Sequence, residues 1–340
     1  MHRREEPEMA RVIVAVLGML AVFAAALGCS GESDTSEPEA KPLSTRLEEA
    51  DQAFRNRQYA EAGEIFEAVA TDALAAGNHE TYTEAAAMRA RSYLIQGMSE
   101  EGRPWLTRAE EHADSSAPAG WSRYLGVRGR FEWEDGDSER ATATFHEMFD
   151  YCEENELYSR AVDAAHMIAL TGQPEEKLQW ARKGIEMAEK GNMIGWLGPL
   201  WNNLGWDHVD AGQYDEAREA LESAREYHYM GTAEIPKLIA DYSVAHVIRL
   251  QGLLDEAHDA MRDVFDRAQG LRDAGNPDAL EWIGFSRWEL GEIAISKGEA
   301  EAGLGMFQEA LGELEEAGMP SWDQADWEKR NARLEELRAR

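Results

Sequence analysis

Beyond residue 43 the apolar residues recur three or four positions apart and runs of β-branched residues are few, which predicts α-helix almost throughout. A longer period is superimposed on this one. A turn residue stands at Arg57, Gly97, Gly136, Gly172, Gly212, Gly252 and Gly298, at intervals of 40, 39, 36, 40, 40 and 46 residues. Seven positions before each turn the chain places Ala50, Ala90, Gly129, Ala165, Gly205, Ala245 and Gly291. Five positions after it come Ala62, Gly102, Ala141, Lys177, Ala217, Ala257 and Gly303, six of them small. Four further on lie Phe66, Leu106, Phe145, Ala181, Leu221, Met261 and Phe307, most of them large.

Two antiparallel helices joined by a short turn approach closely only where their side chains are small, so the two small columns mark the contact between paired helices. The turn glycine relieves strain where the first helix of a pair ends. The large column is expected to fill the space between one pair and the next. A single pair cannot bury its own apolar face, so the pairs must stack. Two copies depart from the pattern: Arg57 replaces the turn glycine of the first, and Lys177 stands in a small column of the fourth, close to Pro174. At the C-terminal end, Pro320, Ser321 and Gln324 read as a capping box that opens a helix over 321–339, with Trp322, Leu334 and Leu337 covering the last repeat. The expected organisation is repeats over 43–318 and a cap over 319–340.

The N-terminus reads as an address. Residues 12–28, VIVAVLGMLAVFAAALG, follow Arg11 and end at Cys29. This apolar run is shorter than the roughly 20 residues of a spanning helix and suits a secretory signal. Ala26-Leu27-Gly28-Cys29 resembles the bacterial lipobox, with Leu27 one position nearer the cysteine than usual. The expectation is a signal over 1–28, cleaved before an acylated Cys29, with an uncleaved anchor as the alternative. Met9 would make a tidier initiator than Met1, because Glu5, Glu6 and Glu8 are unusual in a signal. Ser30 after the cysteine points to the outer membrane, facing the periplasm. Residues 29–42 then form an acidic, proline-containing tether.

Charge narrows the partners. The 340 residues hold 66 acids and 34 bases, a formal charge of −32. Such a surface repels nucleic-acid phosphate and anionic headgroups, so no nucleic-acid partner is expected. Cys152 is the one cysteine besides Cys29, which excludes an internal disulfide framework. The sequence contains no HExxH, no Gly-x-Ser-x-Gly, no phosphate loop and no clustered Cys/His spacing. Neither an enzyme nor a cofactor or metal is expected.

The stretch Trp201, Leu204-Gly205, His208, Gly212, Tyr214, Ala217, Leu221 and Ala224 resembles the tetratricopeptide repeat, and the last copy keeps Leu290-Gly291, Gly298, Gly303, Phe307 and Ala310. The period is nearer the 40-residue form than the common 34. The resemblance implies an all-α, right-handed superhelical solenoid of antiparallel helix pairs whose first helices line a concave groove. In that family the lining columns lie about two, three, six and ten residues before the turn. The positions implied here are Arg91, Arg130, Trp133, His166, Asn202, Trp206, Tyr242, His246, Arg249 and Trp288, with Asn203 at the groove's edge. Arginines there would accept a carboxylate or an acidic peptide, unless neighbouring acids already occupy them. The lysines of the chaperone-binding carboxylate clamp are missing. Two functions follow: a lipid-anchored scaffold that binds a protein or peptide partner in the groove, or a receptor for a small ligand.

Overall fold

The computed structural model describes residues 41–339, and the expected signal, Cys29 and most of the tether lie outside them. The described residues are helical, with no strand among them. They divide into two compact units, 41–193 and 194–339. The first holds α1 (Leu43–Arg55), α2 (Tyr59–Ala75), α3 (His79–Ile95), α4 (Ser99–His112), α5 (Pro118–Glu134), α6 (Ser138–Glu154), α7 (Tyr158–Thr171) and α8 (Lys177–Lys190), with a short 3-10 turn, Pro174–Glu176, before α8. The second holds α9 (Ile194–Asp210), α10 (Tyr214–Met230), α11 (Glu234–Leu250), α12 (Leu254–Asp273), α13 (Ala279–Ser296), α14 (Ala300–Glu316), α15 (Met319–Trp322) and α16 (Gln324–Arg338). Odd and even helices up to α14 form antiparallel pairs, and within each unit successive odd helices also touch.

The small columns are the contact surface of each pair. Ala50, Ala90, Ala165 and Ala245 are fully buried, as are Ala62, Ala141, Ala217 and Ala257. Where glycine stands, a side chain has no room: a Cβ on Gly205 would lie 2.5 Å from Leu221 Cγ, one on Gly129 2.7 Å from Phe145 Cε1, and one on Gly291 2.8 Å from Phe307. These contacts correct the expectation for the large column. Phe145, Leu221 and Phe307 seat into the glycine of their own pair's first helix, so in these three pairs the column locks the pair internally. In the second unit Leu221 also belongs to a core that continues through Trp206, Leu238, Tyr242, Met261 and Trp282.

Six of the seven turns place the named residue in the left-handed region. Gly212 has φ +71°, and Arg57 adopts φ +62° at the position where the other copies carry glycine. The fourth turn differs. Gly172 is extended (φ −79°, ψ −168°) and leads into the 3-10 turn. Pairing in this copy shifts accordingly. The position that faces Ala165 is Gly184, where a Cβ would lie 3.6 Å from the Ala165 Cβ, rather than Lys177.

The C-terminal cap also differs from expectation. The N-cap of α16 is Asp323, whose carboxylate accepts the Asp326 backbone N–H at 3.1 Å, and Ser321 lies inside the short α15. An aspartate one position before Gln324 competes successfully with Ser321, because Met319-Pro320 already starts α15. Leu334 is buried against Trp288, Phe307 and Leu311 with Leu337 beside it, whereas Trp322 remains 38% exposed.

Candidate partner-binding face

In the unit formed by 41–193 the residues six before each turn are Asp51, Arg91, Arg130 and His166, one on each of α1, α3, α5 and α7. Around them runs a ladder of ion pairs between successive first helices. Arg123 on α5 donates to Asp51 at 2.7 Å and to Glu84 on α3 at 3.3 Å. Arg160 on α7 donates to the same Glu84 carboxylate and to Ser122 Oγ. Arg130 donates to Asp163 on α7 at 2.6 Å and to the Gly126 carbonyl at 2.8 Å. Burial alone would raise the Asp163 carboxyl, but Arg130 and Arg91 reverse the effect and hold it well below the usual carboxylate range.

Arg91 stands apart within this ladder. Its guanidinium lies over the Phe54 ring, 5.2 Å from the centroid, and no carboxylate among the described residues comes within ion-pair distance. The side chain is half-buried. Burial, with the like charge of Arg130, pulls its pKa down to about 9, against the pull of Asp163 and Asp51. His166 is exposed at the end of the row, and Trp133 is half-buried in the last turn of α5.

In the unit formed by 194–339 the sequence candidates converge, but around a buried carboxylate. Glu289 on α13 is 3% exposed and takes Arg249 Nε at 2.6 Å, with His246 Nδ1 at 3.0 Å. Burial opposes the Glu289 charge, yet His246 and Arg249 hold the carboxyl far below its ordinary value. Trp206 and Tyr242 flank the His246 ring, at 5.0 and 6.1 Å between centroids. Trp206, Tyr242 and Trp288 are all under 8% exposed. Asn202 does not project into a groove: it is 7% exposed, and its Oδ1 accepts from Ser243 Oγ on the next first helix at 3.4 Å. A short amide between close-packed helices is drawn inward to satisfy the neighbouring hydroxyl. Asn203 is half-buried, with its Oδ1 lacking a hydrogen-bond partner among the described residues.

The residues that sequence reasoning missed are the carboxylates. Asp163 and Glu289 each stand nine before their turn, and each receives the cation of the preceding first helix. That shared offset was a readable signal. Among the described residues no group of three or more His, Cys, Asp or Glu is placed to hold a metal ion, and no helix is long and apolar enough to cross a membrane.

No protein-family model matches the sequence, and no curated protein matches it. Solved structures do. The apo form of RapI superposes with a TM-score of 0.65 at 10% identity, over 86% of this chain and 79% of its own. A STAND protein with a tetratricopeptide repeat sensor from Pyrococcus horikoshii gives 0.55 at 13% identity, over 86% of this chain and 46% of its own. The C-terminal part of a TPR repeat-containing protein from Cytophaga hutchinsonii gives 0.50 at 14%, over 78% and 94%. The fold is the tetratricopeptide-repeat fold. Its paired helices, close-packed small columns and left-handed turns are those described above, and in this tetratricopeptide array the face that carries unbalanced charge is that of the first helices in 41–193.

Proposed function

We propose that this protein is a non-catalytic scaffold, anchored by lipid on Cys29 in the cell envelope, that holds a protein or peptide partner on the first-helix face of its repeats. The observation that carries the reading is Arg91, a half-buried cation without a carboxylate partner among the described residues, in a chain otherwise crowded with acids. A buried charge left unpaired is costly, and a bound partner is one way to relieve it. The kinship in fold to a protein with a tetratricopeptide repeat sensor supports recognition as the task. A small-ligand receptor would need the aromatic residues open to solvent, and Trp206, Tyr242 and Trp288 are buried.

Envelope anchoring rests on the apolar run ending at Cys29 and on the acidic tether that follows. Two acyl chains on that cysteine give stable attachment. Cys29→Ser should release the protein from membranes into the soluble fraction on cell fractionation, and unchanged retention would refute the lipid anchor. For the scaffold itself, crosslinking followed by affinity purification from envelopes should return one discrete partner. Recovery of no protein, with thermal stabilisation by a small metabolite instead, would favour the receptor.

A further inference from the structure

We infer that Arg91 is the receptor for a single carboxylate on an extended ligand segment. The inference rests on the scaffold reading and specifies its chemistry. The charges acting most on Arg91 are Asp51 from α1, Arg123 and Arg130 from α5, and Asp163 from α7. Each of these others is already engaged: Asp51 with Arg123, Arg130 with Asp163, and Arg123 also with Glu84, which Arg160 shares. Four arginines, Arg91, Arg123, Arg130 and Arg160, therefore meet three carboxylates, Asp51, Glu84 and Asp163. The excess is one positive charge, and it sits on Arg91.

The local chemistry selects a carboxylate. The Arg91 guanidinium, 5.2 Å from the Phe54 ring centroid, is a planar fork of donors, which two carboxylate oxygens match. One excess charge suits one carboxylate better than a phosphate of about two charges. The protein as a whole carries −32 and repels anions at long range, so a polyacidic ligand is not drawn in. At physiological salt that repulsion is screened beyond roughly 8 Å, while the contact at Arg91 is not. The segment recognised is then a mostly neutral peptide bearing one acidic side chain or a free C-terminal carboxylate.

The test is fluorescence anisotropy with the full chain in detergent at physiological salt. The probe is a fluorescein-labelled, otherwise neutral ten-residue peptide library with one Glu at its centre. Matched libraries carry Gln, phosphoserine, or Gln with a free C-terminal carboxylate at the same place. The single-carboxylate libraries should bind, and the Gln library should bind about tenfold more weakly or worse, as expected for loss of a charge-assisted contact. Arg91→Gln should abolish the difference between Glu and Gln, and Arg91→Lys should reduce it. The melting temperature of the unliganded protein should stay level or rise in Arg91→Gln, because the variant removes an unpaired cation; a purely structural arginine would instead lower it. Binding of neither single-carboxylate library more tightly than the Gln library, preference for phosphoserine, or an unchanged preference in Arg91→Gln would each overturn the inference; which of the two carboxylate libraries binds identifies a side-chain or a C-terminal source. An envelope partner that binds Arg91→Gln as well as the native protein would overturn it too, while leaving the scaffold reading standing.

Discussion

Glu289 and Glu281 lie two helical turns apart on α13 and respond to burial in opposite ways. Glu289 receives Arg249 and His246, which overcome burial and hold its carboxyl far below the ordinary value. Its contribution to stability is therefore present above the unfolded pKa near 4.3 and lost as pH falls below it. Glu289→Gln should destabilise the fold by about 2–4 kcal/mol at neutral pH in chemical denaturation, because the buried Arg249 guanidinium then loses its charged partner. Glu281 has no such partner among the described residues. Burial, with the nearby Asp278 charge, raises its pKa to about 7. The sign is reversed: stability is fully present below the unfolded pKa and falls as pH rises toward 7. Glu281→Gln should remove that dependence and gain roughly 2 kcal/mol at pH 8, and an unaltered pH profile would contradict it. Sequence was a poor guide at this scale. Arg249 and His246 were readable as neighbouring positions on the lining face of a first helix. Their neutralisation by Glu289 was not, because the partner sits forty residues away. Asn202 misled for the same reason, since its hydroxyl partner Ser243 is on the following first helix.

Helix pairs show how much one missing methyl group can do. The Leu221 side chain occupies the space a Gly205 side chain would need, 2.5 Å from its Cβ position. Gly205→Ala should therefore lower stability by about 1–3 kcal/mol despite its better helix propensity, and Leu221→Ala should cost less in that background than in the native protein, because the clash is then relieved. Ala217→Leu at the opposite small column, fully buried, should cost a similar ~1–3 kcal/mol on thermal melting. At the first turn Arg57 holds φ +62°, a conformation that costs a side chain roughly 1–2 kcal/mol. Arg57→Gly should raise the melting temperature; a fall would mean the turn depends on the arginine itself. Pairing within repeats was legible because it depends on residue size at fixed spacing. The turns between pairs were less so. Glu156 and Asn192 take left-handed conformations there, with no periodic glycine to announce them.

At the scale of the molecule, the repeats were visible in the sequence, but the division at 193/194 was not. Its precursors are in the fourth copy: the shortest spacing, 36 residues, and Lys177 in a small column. There the turn is extended at Gly172 and Gly184 replaces the expected contact with Ala165. Size patterning specifies contact inside a pair, whereas the continuity of the array depends on surfaces between pairs that no single column records. Charge behaves likewise. The excess of acids was plain from composition, but the surplus cation at Arg91 emerges only when α1, α3, α5 and α7 bring their ladders together. Whether a partner sits on this face can be read by photo-crosslinking in intact cells. Benzoylphenylalanine would be placed at Trp133 or His166 on the first-helix face, and at Glu101, exposed on α4, as the comparison. A partner held by the first helices should give one discrete adduct from Trp133 and His166, weakened by Arg91→Gln, and none from Glu101. Adducts from Glu101 alone, or none from any position, would contradict a partner-binding role for that face.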